Sequence, residues 1–150
     1  MKIQFQQREP GKQGTPLIVL GKVGVLIDSG GRWCVTVAGG ESREVGVDTA
    51  YLLYPLLELR LDDVKLGLTA CLGEDAKAQT NVYELLATVV RAALIKEEST
   101  YWLERSMAWV DSDQVLCELV VDEVKRLRFR QGVAQEIRHR VGRIVKRMQS

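Results

Sequence analysis

Histidine, proline and aromatic residues are scarce in this chain of 150 residues: one His, three Pro, and two Phe, three Trp and four Tyr, 6% aromatic in all. A single imidazole, His139, cannot build a histidine-rich metal site, and the nearest cysteine in sequence, Cys117, has no ligand-like spacing to it. Arg138 and Arg140 flank His139, and their charges work against the imidazolium that a Ser–His–Asp triad must form. GxSxG and GxGxxG are absent, and Gly21-Lys22 is followed by Val23 where a P-loop needs Ser or Thr. The neighbouring acids Asp62-Asp63, and Asp111 with Asp113, read as turn or cap residues before they read as a magnesium site. No catalytic constellation emerges, so the expectation is a non-enzymatic protein with no cofactor and no metal.

Three cysteines, Cys34, Cys71 and Cys117, lie far apart inside apolar runs and form no CxxC. An odd, scattered set is a poor disulfide framework and reads as buried free thiols in a reducing compartment. No run of about 18 apolar residues exists to span a membrane, and the first residues lack the apolar stretch of a signal peptide. A cytoplasmic location is expected.

What is abundant is glycine, and it is unevenly placed. Eleven of the 13 glycines precede residue 74. Glycine punctuates turns and weakens helices, which predicts an α+β chain: residues 1–72 mostly β, residues 73–150 mostly α, folded as one compact unit. Strands are expected at 3–7, 17–20, 23–27, 33–37 and 43–47, joined as an antiparallel meander, with a polar Gly/Pro loop at 8–15. Asp48 suits the cap of a short helix ended by Pro55. Beyond it, Leu57-Leu59-Leu61 and Val64-Leu66-Leu68 alternate with period two around Asp62-Asp63, which predicts a hairpin.

Four helices are expected after that. Asn81 with Glu84 resembles a capping box, the Ser99-Thr100 pair opens a second helix, Asp113 caps a third running to Leu127, and Gly132 precedes a fourth. Two successive helix pairs resemble a fragment of a HEAT-like stack of α-hairpins, a resemblance of element order over about residues 80–148.

The charges nearly cancel, with 21 Lys+Arg against 20 Asp+Glu, but not locally. Residues 125–150 hold nine basic residues and one acidic, a net of +8; residues 41–124 hold seven basic and 17 acidic, a net of −10. The middle offers Glu97, Glu98, Glu104, Asp111 and Asp113 around Trp102 and Trp109, which stand seven apart and share a helical face. Aromatic anchors inside an acidic rim suit a protein interface, with a basic toxin or nuclease as the kind of partner. The end offers Arg138, Arg140, Arg143, Lys146 and Arg147, an electrostatic footprint for nucleic-acid phosphates, or simply a solvated face paired with the acidic helices beside it.

A small chain with an N-terminal sheet, C-terminal helices and an acidic helical surface resembles bacterial immunity proteins in size, layout and charge. That resemblance implies a stoichiometric inhibitor that binds and neutralises a toxin; it assigns no residue a role. The alternative is a nucleic-acid-associated accessory protein that uses the basic last helix.

Overall fold

The computed structural model describes residues 2–7, 15–38, 40–97 and 99–149. Most of the expected loop at 8–15 lies outside these residues. Five short strands form one antiparallel sheet in chain order: β1 (Ile3–Phe5), β2 (Ile18–Leu20), β3 (Val23–Ile27), β4 (Trp33–Val37) and β5 (Arg43–Glu44). Register follows the side-chain alternation. Phe5 pairs with Ile18, Ile18 with Val25 and Val25 with Val35, which places one apolar row across four strands on a single face. Gly21 has φ of 62° at the first position of the β2–β3 turn, a conformation that glycine takes without strain. At the next turn the Asp28 carboxylate accepts from the amides of Gly30 (2.9 Å) and Arg32 (3.0 Å), the local bonding that makes Asp a turn residue.

The segment at 48–72 is helical, and the expected hairpin is not there. A 3-10 helix runs over Ala50–Glu58 and passes through Pro55; α1 follows at Leu61–Leu72. Burial explains the difference. Leu61, Val64 and Leu68, spaced by three and four, face the core, while Leu66 is 69% exposed and spoils the alternation a strand would need. Asp62 and Asp63 stand in the first turn of α1, where acidic side chains favour the helix dipole rather than a reversal of the chain.

Helix α2 (Ala76–Lys96) begins five residues ahead of the expected capping box. Asp75 caps it, accepting from the Ala78 amide at 2.8 Å; Asn81 lies inside the helix, and its carbonyl accepts from the Trp33 indole of β4 at 2.8 Å. Helix α3 (Thr100–Ser112) opens after Ser99 as expected. The expected third helix is two, α4 (Gln114–Leu119) and α5 (Val121–Leu127), broken at Val120. The Leu119 carbonyl, next to the break, accepts from the Arg91 guanidinium of α2 (3.0 Å). Helix α6 (Gln135–Met148) closes the chain.

The architecture is α+β. The two halves share one continuous cluster of buried side chains, from Ile18, Val25 and Val35 in the sheet through Leu86 and Val90 in α2 to Val141 and Ile144 in α6. Among the described residues no helix is long and apolar enough to cross a membrane. All three cysteines are free, Cys34 and Cys117 buried and Cys71 partly so.

Strand β1 packs on α1 at Gly67, where a Cβ would stand 2.7 Å from the Phe5 ring. Gly67→Ala is therefore expected to lower Tm, with an overpacking cost of about 1–3 kcal/mol that outweighs the gain in helix propensity. Thermal unfolding followed by circular dichroism checks this; an unchanged or higher Tm would contradict the contact.

Candidate functional site

The acidic residues that the sequence singles out meet different fates. Asp113 caps α4 through the Leu116 amide (3.0 Å) and also accepts from Lys65 of α1 (2.8 Å) and Tyr83 of α2 (2.9 Å). Its side chain is 9% exposed, so it ties three helices together instead of facing a partner. Burial works against its charge, but the bonds to Lys65, the Leu116 amide and Tyr83 outweigh that penalty and hold its carboxyl below the usual value. Lys65 is governed the same way: burial lowers it, and its bonds to Asp113 and Tyr83 raise it by more.

Asp111 is also engaged within the chain. It pairs with Arg147 at 2.7 Å and with Arg140 at 3.5 Å, which joins α3 to α6. Glu97 ends α2: its carboxylate accepts from the Ser99 amide (2.9 Å), and its backbone carbonyl accepts from the Arg130 guanidinium. Glu98 lies outside the described residues. Trp109 is 2% exposed, a core residue whose indole donates to the Leu59 carbonyl at 3.0 Å. Trp102 is half-buried at the edge of the same face, 5.5 Å from the Tyr54 ring and 4.9 Å from that of Tyr101. Glu104 is exposed and takes part in none of these bonds. The expected acidic patch thus reduces, among the described residues, to Glu104 beside a set of aromatic rings.

The basic end divides differently. Arg140 and Arg147 share the single carboxylate of Asp111, the pairing of opposite faces that the charge layout allows. Arg138 donates to the carbonyls of Arg130 (2.6 Å), Val133 (3.3 Å) and Arg128 (3.4 Å), closing the turn between α5 and α6 on neutral partners. Its charge is therefore not cancelled by those contacts. Arg143 and Arg128 are exposed and make no ion pair among the described residues.

These side chains meet at one place. A groove of 450 Å³ is lined by Arg128, Arg138, His139, Gly142, Arg143 and Lys146, with no Asp or Glu in its wall among the described residues. Within it, His139 is exposed and faces Gln135 at 3.0 Å, standing among cations rather than beside a carboxylate. Phe129 follows Arg128 in the chain and is 82% exposed, its ring centroid 5.9 Å from the Arg128 guanidinium. Like charges held together in a concave surface favour an anion there.

Two of these residues escape a reading of sequence alone. Arg128 and Phe129 precede the last helix and belong to no periodic pattern, so nothing marks them as neighbours of Arg138 and Lys146 until the turn at 128–134 folds back. Gly142 carries a signal that can be read in advance, a glycine inside a helical pattern of apolar residues.

A second hollow, 580 Å³ between α2 and α4, is lined by Tyr83, Ala87, Val115 and Leu119 among others. Its arginine, Arg91, is already paired with Glu123 at 3.0 Å, so the α6 groove is the better anion site. Among the described residues no group of three or more His, Cys, Asp or Glu is placed to hold a metal ion. No protein-family model matches the chain, and comparison with characterised proteins and with solved structures gives no match.

Asp113 links this geometry to pH. Because its folded carboxyl is held below the unfolded value, it contributes stability that is present above about pH 4 and is lost as the pH falls through the lowered folded value. Urea unfolding at pH 6 and pH 3 is expected to show a smaller loss of stability for Asp113→Asn than for the parent protein. Equal losses in both would contradict the role given to Asp113.

Proposed function

We propose that the protein is a nucleic-acid-associated binding module that engages phosphates through the groove on α6. The supporting observation is the wall of Arg128, Arg138, His139, Arg143 and Lys146, which holds no Asp or Glu among the described residues. Guanidinium groups suit the task because their planar, multi-donor geometry matches phosphate oxygens, and their charge releases counterions from a polyanion. The acidic remainder of the molecule does not oppose this. Asp111 and Asp113 are already held by Arg140, Arg147 and Lys65, so the basic groove keeps its charge locally while the chain totals only +1. Three free cysteines suit a reducing, cytoplasmic setting.

One observation favours a second reading, a protein partner of the immunity or inhibitor kind. Tyr51 is 56% exposed and Tyr101 44%, with Trp102 beside Tyr101, and such rings serve as anchors in protein interfaces. Arg105 lies 5.2 Å from the centre of the Tyr101 ring and Glu104 is exposed next to it, so the rim there is mixed in sign rather than strongly acidic. The α6 groove is the more clearly built of the two surfaces.

Fluorescence anisotropy with a labelled oligonucleotide tests the first reading. Binding is expected to weaken linearly in log K against log salt, and Arg143→Ala to reduce the slope by roughly one unit. Arg140→Ala, which removes a charge already paired with Asp111, is expected to change the slope less. No binding at 50 mM salt, or equal effects of the two variants, would contradict the proposal.

A further inference from the structure

Resting on the reading of the α6 groove as a phosphate site, we infer that its ligand is a single strand of nucleic acid, whose backbone crosses α6 at Gly142 while a base stacks on Phe129. The glycine is the less expected part. Gly142 sits within the helix Gln135–Met148, where glycine is destabilising relative to alanine. Nothing among the described residues calls for it. Its φ is not positive, and a Cβ built at this position meets no atom within 4 Å. By contrast Gly67 is explained at once by the Phe5 ring. A glycine with open space above it, in the floor of a cation-lined groove, suits the close approach of another molecule to the helix backbone.

The walls say what kind of molecule. Arg138 and Arg143 on α6 and Arg128 from the preceding turn line the groove together with Gly142. Spacing along α6 from His139 to Lys146 corresponds to roughly 10 Å at about 1.5 Å per residue, enough for consecutive phosphates of one strand. A volume of 450 Å³ is that of a small-ligand site, not of a double helix. Phe129 then supplies what phosphate contacts cannot. A phenyl ring 82% exposed beside an arginine is a stacking surface for a base, and a base presents its face only in a single strand.

An anionic membrane is the other occupant a basic helix can attract, and the geometry favours it less. A helix that lies in a membrane surface turns its apolar side to the lipid, whereas Ile137, Val141, Ile144 and Val145 of α6 are buried in the core. Among the described residues, Phe129 is the one strongly exposed large apolar side chain next to the groove.

The test uses the full chain with 5′-labelled dT12 and U12, a labelled hairpin duplex of 12 base pairs, and vesicles containing phosphatidylserine. Gly142→Ala is expected to raise Tm by about 2–4 °C, because it adds helix propensity without a clash. The same variant is expected to weaken single-strand binding roughly tenfold, since its methyl group stands where the strand passes. A variant made more stable and yet bound less well separates a contact with ligand from damage to the fold. Phe129→Ala is expected to weaken single-strand binding by about tenfold with an unchanged salt slope, Phe129→Trp to preserve it, and the duplex to bind less tightly than dT12 or U12. Salt-dependent, Arg143-dependent binding that neither Gly142→Ala nor Phe129→Ala alters by more than twofold would overturn this inference and leave the phosphate reading standing. Equal or tighter binding of the duplex would do the same. Binding to the vesicles with none to any oligonucleotide would overturn both.

Discussion

Helix α2 sets the terms for the rest of the molecule, because its C-terminal half is buried on nearly every side. Val82, Leu85, Leu86, Ala87, Val89, Val90, Ala92, Ala93 and Leu94 are all buried, more than one amphipathic face can hold. Such a helix needs neighbours all round, and it has them: the 3-10 helix, α1, α3, α4 and α5 pack against it. The sheet is attached to the same helix through the Trp33 indole on the Asn81 carbonyl. Each outer helix therefore turns its apolar stripe toward the interior and its charges outward.

That arrangement explains the charge layout better than composition does. The long acidic stretch is distributed over several helices, and its buried or half-buried members are tied down: Asp113 by Lys65 and Tyr83, Glu123 by Arg91, Asp111 by Arg140 and Arg147. Helix α6 packs on α3 and α5, which brings Arg140 and Arg147 to Asp111 and leaves Arg138, His139, Arg143 and Lys146 to line the groove. Near-zero net charge is then the sum of internal pairs, exposed acidic side chains and one cation-lined groove. On the same helix, Arg140 and Arg147 pair with an acidic neighbour while Arg138 and Arg143 line the groove.

The strands were legible because each is a short branched run between strong turn signals, and both Gly21-Lys22 and the Asp28–Gly31 turn stand where expected. The helix start at Asp113 was legible from cap chemistry, and that at Ser99 from the Ser99-Thr100 pair, although the Ser99 side chain makes no capping bond. The segment at 57–70 was not, since leucines at every second position satisfy a strand and also include the set Leu61, Val64 and Leu68 that a helix buries. Only the presence of α2 and β1 decides between them. Trp102 and Trp109 illustrate the same limit: shared spacing puts them on one face, and tertiary packing makes that face the core at Trp109 and its edge at Trp102. The groove needed Arg128 to fold back on α6, with Phe129 beside it, a contact no local pattern encodes.

Whether α6 is the working surface is most directly tested by mapping amide chemical shifts in a ¹⁵N-labelled sample as unlabelled U12 is added. If the groove holds the strand, shifts concentrate at Arg128, Phe129 and on α6 at Arg138, His139, Gly142, Arg143 and Lys146, while Tyr51, Tyr101 and Glu104 stay in place. Shifts gathered around Tyr51, Tyr101 and Glu104 instead, or none at any ratio of U12 to protein, would contradict it.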